Sequence, residues 1–438
     1  MTVDVLSPEL QFIIGCIQRA LGRPTEPIAD LALDWDRFVA EACNHGLAPM
    51  VHAGLASLNT PFPSEARAAL RARAIRDTVH HAALFEPALR STLGVLGEAG
   101  LHPIALKGSA LAYLAYPKPT YRTLSDIDLL VPFDRLDQAA DCLIRNGYQR
   151  YEQSLPDGHQ HLPPFITPDG RFVIELHHHV LAEANPYVLD MRGFWARSQQ
   201  RELAGVQATV LAPTDILLHV CIHLAFGHRY AFFPLRTFVD ILAMTDCARE
   251  PLDWDLLLDT VQQTRTAGAV YWPLRLSQDW FGATIPPFVL DRLAPSRITR
   301  GLMERVIESP YIVNERAPEE LGTSVLYRLV REFSLYSGCS VLAQMGALWR
   351  GLFPQPEDIT HLPEEMTQSR LRYSAHWWNL PRLARGATAF GRLITGRQKQ
   401  AEAPPVVPTV TTATPSLSIV TPVSSDVHPA PAAVTADS

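Results

Sequence analysis

The sequence predicts an α+β protein, a small sheet-bearing core held between two helical regions. Three observations carry this reading. Up to about residue 100 apolar residues recur at helical spacing with no strand signal. Between 100 and 185 short β-rich runs alternate with helical ones, and from Pro213 the helical pattern returns. The chain divides accordingly into an N-terminal helical region, 1–99, an α/β core, 100–185, and a C-terminal helical domain, 186–397. The last segment, 398–438, is rich in Pro, Ala, Thr, Val and Ser with no aromatic residue, and is expected to be a disordered tail.

Each element has a local cause. Leu10, Ile13, Ile14, Ile17 and Leu21 form one helical stripe, continued in style by Phe38 to Leu55. Ala69 to Leu96 reads as a long helix with a break near Pro87, whose nitrogen has no proton to donate. His102 to Leu106 is a short strand, Ala110 to Tyr116 a helix closed by Pro117, and Ile127 to Val131 a second strand entered through Asp126. Leu136 to Ile144 is an amphipathic helix stopped at Asn146-Gly147, and Tyr148 to Tyr151 starts another strand. His161 to Thr167 and Arg171 to His177 flank Pro168-Asp169-Gly170, a hairpin signal; Pro163 and Pro164 demote the first of them to an edge strand.

The 438 residues are 47% hydrophobic and 19% charged, an ordinary globular balance, and the formal net charge of −7 argues against a broad basic surface for nucleic acid. The six cysteines are scattered with no C-x-x-C, which fits reduced thiols and a cytoplasmic location. No basic-then-apolar leader opens the sequence, and Phe333 to Trp349 is too short and polar for a membrane span, so no membrane partner is expected.

The informative stretch runs from Leu106 to Val131. On a strand, residues two apart share a face, which sets Asp126 and Asp128 side by side with Cα atoms roughly 6–7 Å apart. Two such carboxylates repel, and a divalent cation relieves the conflict; hard oxygen ligands suit Mg²⁺ or Mn²⁺. A D-x-D taken alone also occurs where the first Asp caps a strand and the second is solvated. Upstream, Gly108-Ser109 sits between a strand and a helix, where backbone N–H groups and a hydroxyl can meet phosphate oxygens, or where Ser109 simply caps the helix. Downstream, Glu175 lies in the apolar run Phe172 to Leu176, where a carboxylate needs a partner, a metal or an exposed edge.

Together these residues resemble the nucleotidyltransferases of the DNA polymerase β-like superfamily. More narrowly they resemble an uncharacterised bacterial nucleotidyltransferase family with a Leu-Lys-Gly strand end, an Arg ahead of an Asp-Ile-Asp-Leu-Leu-Val strand, and Glu-Leu-His. Here these are Leu106-Lys107-Gly108, Arg122, Asp126 to Val131, and Glu175-Leu176-His177. The later segment, with Pro213, Asp215, His219, His223, Leu235-Arg236 and Asp240, is also similar. The insert from Ala110 to Ser125 is longer than in the broad superfamily and fits the narrower family.

The resemblance implies a small mixed-sheet core and in-line attack of a hydroxyl on the α-phosphate of a nucleoside triphosphate. It implies Mg²⁺ or Mn²⁺ on Asp126, Asp128 and Glu175, with Glu175 helping to deprotonate the attacking hydroxyl. Gly108 and Ser109 would cradle phosphates, and Lys107 and Arg122 would neutralise them, Arg122 ahead of Lys107 because it precedes the acidic strand. The acceptor is open: a small molecule, a protein or RNA. Two other readings stand beside this one, a D-x-D glycosyltransferase using a nucleotide sugar and an inactive nucleotidyltransferase-fold binding module. His219 and His223, four apart on a helix, invite a zinc reading, but no H-E-x-x-H glutamate accompanies them. His177 shares the face of Glu175 and lines the same site as a neighbour of its carboxylates.

Overall fold

The computed structural model describes residues 6–23, 33–56, 62–152, 158–182, 189–226, 235–248 and 250–307, with isolated positions at 155, 187, 336 and 345–346. The predicted tail and the helical continuation from 308 to 397 lie outside these residues, apart from those isolated positions.

The N-terminal helices form for the reasons the sequence offers. Helix α1 (Pro8–Ala20) is capped by Ser7, whose hydroxyl accepts from the Leu10 N–H, and it buries Leu10, Phe12, Ile13, Ile14 and Ile17. Helix α2 (Trp35–Asn44) is capped in the same way by Asp34, and α3 (Ala48–Ala56) follows. Phe12, Trp35, Phe38 and Phe62 meet edge to face between them. Helices α1 and α3 touch backbone to backbone at Gly54, where a Cβ would lie 1.8 Å from the Cys16 carbonyl oxygen. Helix α4 (Ser64–His80) runs into α5 (Glu86–Glu98) through one wide turn, His81–Phe85, in which the Glu86 N–H donates to the carbonyl of His81. This is the break expected near Pro87, taken as a π-type turn just ahead of the proline rather than as a chain reversal.

The core strands are β1 (Ile104–Ala105), β2 (Asp126–Leu130), β3 (Gln149–Arg150), β4 (Phe165–Ile166) and β5 (Val173–His177), with helices α6 (Lys107–Leu114) and α7 (Leu136–Arg145) among them. Helix α7 stops at Asn146, and Gly147 takes a left-handed φ of 84°, as the sequence predicts. The Thr167 hydroxyl closes the Pro168-Asp169-Gly170 turn, donating to Asp169 and accepting from Arg171 and Phe172 N–H groups. Strand β4 is not an edge: it lies between β3 and β5. Pro163 and Pro164 fall just outside its paired residues, and the Pro164 carbonyl still accepts from Tyr151 N–H at 2.8 Å. A proline lacks a donor, not an acceptor.

The start of the span read as a C-terminal helical domain holds α8 (Met191–Arg197) but also a hairpin, β6 (Gln199–Leu203) and β7 (Val206–Val210), that extends the core sheet beyond residue 185. The sheet order is β3-β4-β5-β2-β1-β7-β6, with β2/β5 and β1/β7 parallel and the other pairs antiparallel, so the sheet is mixed. Ala204 and Gly205, both at positive φ, make the tight turn that right-twisted strands prefer.

Helices α9 (Pro213–Phe226), α10 (Leu235–Asp246), α11 (Trp254–Thr264), α12 (Ala267–Phe281), α13 (Pro287–Leu293) and α14 (Arg297–Ile307) follow. They share one apolar core with α1 to α3, in which Cys16, Phe38, Phe238 and Trp272 are wholly buried. A second core lies under the sheet, where Phe85 and Leu89 meet Ile127, Leu129, Ile174 and Leu176. Burying each such side chain contributes about 1.5–3 kcal/mol. Cys16, Cys43, Cys142, Cys221 and Cys247 are free thiols. Among the described residues no helix is long and apolar enough to cross a membrane.

Candidate active site

Strand β2 supplies the D-x-D pair, and parallel pairing with β5 sets Glu175 directly beside Asp128. Side chains in register on neighbouring parallel strands share a face, so these two carboxylates converge without any loop to hold them. Asp128 is 3% exposed, whereas Asp126 is half-buried and accepts from the Ser125 hydroxyl at 3.2 Å. His177, the next residue on that face of β5, donates from Nε2 to Asp128 Oδ1 at 2.8 Å and lies 3.3 Å from Glu175 Oε2. His161, from the segment before β4, places its Nε2 3.6 Å from the same Glu175 oxygen and stacks obliquely on His177.

Lys107 opens α6 immediately after β1. Its Nζ lies 2.9 Å from Asp128 Oδ1, and its backbone takes a left-handed φ of 44°. The junction is pinned by the Leu106 N–H, which donates to the Asp128 carbonyl at 3.0 Å. Gly108 and Ser109 belong to the first turn of the helix rather than to a loop before it, and Leu106 holds the cap position without a side-chain bond. Ser109 is therefore not the helix cap. It is 1% exposed, and its hydroxyl has no hydrogen-bond partner among the described residues.

Arg122 is 9% exposed and does not stand open at the mouth of the site. Its Nε and Nη2 donate to the two oxygens of Asp240 on α10, at 2.9 and 3.0 Å, and the Tyr116 hydroxyl donates to the same carboxylate at 2.6 Å. Its guanidinium packs against Gly108, where a Cβ would come within 2.3 Å of Nη1. The structure thus brings Lys107, Asp126, Asp128 and Glu175 together, seats Gly108 and Ser109 on the adjoining helix turn, and turns Arg122 toward Asp240. Sequence reasoning gave no role to His161, Tyr116, Asp240 or Arg236. Arg236 and Asp240 entered only through the resemblance of the later segment, and their four-residue spacing places both on one face of a helix.

The electrostatics follow from crowding. Burial, then the neighbouring Asp128 and Glu175, push the Asp126 carboxyl up to about 6. Asp128 is more deeply buried, yet the Lys107 ammonium and the His177 hydrogen bond outweigh burial and hold it well below the usual carboxylate range. Burial pulls on Lys107 and His177 in the neutral direction, but their bonds to Asp128 win and both are raised. Burial takes His161 down to about 4, and burial with the Lys107 charge takes His219 down to about 3, so both are neutral imidazoles at pH 7.

Asp128, Glu175 and His177 each offer a ligand atom, and these atoms lie within 4.8 Å of one another. Two carboxylates and one imidazole nitrogen offer a divalent cation a mixed oxygen and nitrogen set, in which the carboxylates suit hard cations and the imidazole suits transition metals. To bind a metal through Nε2, His177 would have to give up the proton it donates to Asp128. Asp126 stands beside this group, on the same strand face. His219 and His223 on α9 pack edge to face at 6.2 Å, and among the described residues they belong to no group of three potential ligands.

A mixed sheet that aligns a D-x-D pair with a carboxylate on the next parallel strand, beside a Lys-Gly-Ser helix start, is the arrangement that the resemblance to nucleotidyltransferases implies. A family model described as an uncharacterised nucleotidyltransferase matches residues 32–282, and the chain belongs to that family. Neither the curated proteins nor the solved structures gave a match.

Proposed function

We propose that this chain transfers a nucleoside monophosphate from a nucleoside triphosphate to a hydroxyl acceptor. The observation that carries the reading is the parallel register of Asp128 with Glu175 beside the start of α6. Asp126, Asp128 and Glu175, with His177 adjoining, would hold Mg²⁺ or Mn²⁺, which when bound supplies charge stabilisation to the oxygens that attack and leave. Gly108 and Ser109, at the positive end of α6, receive the phosphates through backbone N–H groups and a hydroxyl that has no partner of its own. Lys107 carries positive charge into the same space, and Arg122 backs Gly108 from behind. The acceptor oxygen attacks the α-phosphorus, the bond to the β-phosphate oxygen breaks, pyrophosphate leaves, and Glu175 takes the hydroxyl proton.

The nucleotide-sugar reading needs several βα units ahead of the D-x-D strand, and the described residues before β1 are helical. The test is incubation with each of the four α-labelled triphosphates, with and without Mg²⁺ or Mn²⁺, in the presence of a lysate. Label should pass to protein, RNA or a small molecule, and Asp128→Ala should abolish the transfer. Binding of a nucleotide sugar with no binding of any triphosphate would overturn the reading.

A further inference from the structure

Helix α10 sends two charged side chains, one turn apart, into the loop that leads to β2. Asp240 gives both its oxygens to Arg122. Arg236 receives no such partner: its Nη1 donates to the Thr123 hydroxyl at 2.8 Å and the Thr123 carbonyl at 3.3 Å, both neutral acceptors. Among the described residues no carboxylate forms an ion pair with it. Burial and the adjacent Arg122 charge press its pKa below the usual arginine value.

The location is what gives this meaning. Thr123 lies three residues ahead of Asp126, whose charge acts on Arg236, and Arg122 packs between Asp240 and Gly108. Lys107 and Arg122 stand at the first turn of α6, and Arg236 holds Thr123 in the loop that leads to the head of β2. Lys107 is paired with Asp128 and Arg122 with Asp240, which leaves Arg236 as the one that forms no ion pair among the described residues, although the Asp240 and Asp126 charges act on it from farther off. A partly desolvated guanidinium without a contact ion pair is costly to keep, and its planar fork matches phosphate oxygens. We propose that Arg236 is an anion-binding residue, supplied to the site by the C-terminal helices, that grips the β- or γ-phosphate of the triphosphate. This rests on the nucleotidyl-transfer reading and adds to it a residue from outside the acidic core.

The test uses the full chain and inorganic tripolyphosphate with Mg²⁺, alongside ATP, GTP, CTP and UTP and their monophosphates, measured by calorimetry. For whichever triphosphate the wild type binds, Arg236→Gln should weaken it and tripolyphosphate by about tenfold or more, while the monophosphate stays within about twofold. Arg236→Lys, which keeps the charge, should recover part of the loss, and Thr123→Val should keep triphosphate affinity within a few-fold. Equal triphosphate binding by wild type and Arg236→Gln would overturn the inference and leave the nucleotidyl-transfer reading standing. An equal loss of monophosphate binding would also overturn it, because Arg236 would then be supporting the fold. If the wild type binds none of the triphosphates, the underlying reading itself fails.

Discussion

Asp128 and Glu175 face each other across a parallel strand pair, and one histidine nitrogen, Nε2 of His177, reaches both. The carboxylates belong to residues 47 apart in sequence, but β-register alone fixes their separation. A site built on paired strands is stiff, which suits charge chemistry better than a loop would.

Metal affinity should depend on that histidine. His177→Gln keeps a hydrogen-bonding side chain but removes the imidazole that orients Asp128. We expect Mn²⁺ binding, followed by electron paramagnetic resonance, to weaken by about 10–100-fold. Unchanged Mn²⁺ affinity would remove His177 from the site.

Asp126 should destabilise the metal-free protein above pH 6. Its native pKa of about 6 exceeds the ordinary carboxylate value, so the folded state holds the proton more tightly and stability falls as pH rises from about 4 to about 6. In EDTA, Asp126→Asn should therefore gain about 2–3 kcal/mol at pH 8 and almost nothing at pH 4. Denaturant melts at the two pH values decide it; a gain at pH 4 equal to that at pH 8 would contradict the assignment.

Breaking the Arg122–Asp240 pair should cost more than removing it. Asp240→Ala strands a buried guanidinium and the Tyr116 hydroxyl, an expected loss of about 3–5 kcal/mol. The double variant Arg122→Met with Asp240→Leu should recover much of that in thermal unfolding. Additive losses would argue against a direct pair.

Gly108→Ala reverses an ordinary trend. In an open helix the change stabilises by about 0.5–1 kcal/mol. Here the new methyl would meet Arg122 Nη1 at 2.3 Å and Leu124 Cδ2 at 2.4 Å. We expect a net loss of about 1–3 kcal/mol in a denaturant melt.

Gly54→Ala should be the harsher of the two glycine changes, because the obstacle is backbone. A Cβ at 1.8 Å from the Cys16 carbonyl oxygen forces α1 and α3 apart, with an expected loss of about 3 kcal/mol or more in the same melts. A neutral result would mean the two helices have room to move.

What the sequence made legible was local. The stripe on α1, the D-x-D on β2, the carboxylate of Glu175 on β5 and the stop at Asn146-Gly147 each depend on a few adjacent residues, and each stands where the pattern places it. The β6–β7 hairpin escaped because its turn is Ala204-Gly205, without the Asn or Asp that usually marks such a turn. Arg122 looked free because its partner lies 118 positions away: the resemblance includes Asp240, but nothing in sequence spacing pairs the two. His161 was read only as the start of an edge strand, and nothing local shows that its ring meets His177 and Glu175. The shared core of α1 to α3 with α9 to α13 is likewise a long-range outcome, since an apolar stripe says that a helix is covered but not by what.

Strand β1 is two residues long and is flanked by β2 on one side and β7 on the other. A fragment cut at 100 and 185 would lose β7 from one flank of β1 and Asp240 from Arg122, exposing an unpaired sheet edge and a stranded cation together. The acidic centre is therefore not a portable cassette. Moving it into another protein would require carrying the helices on both sides along with it.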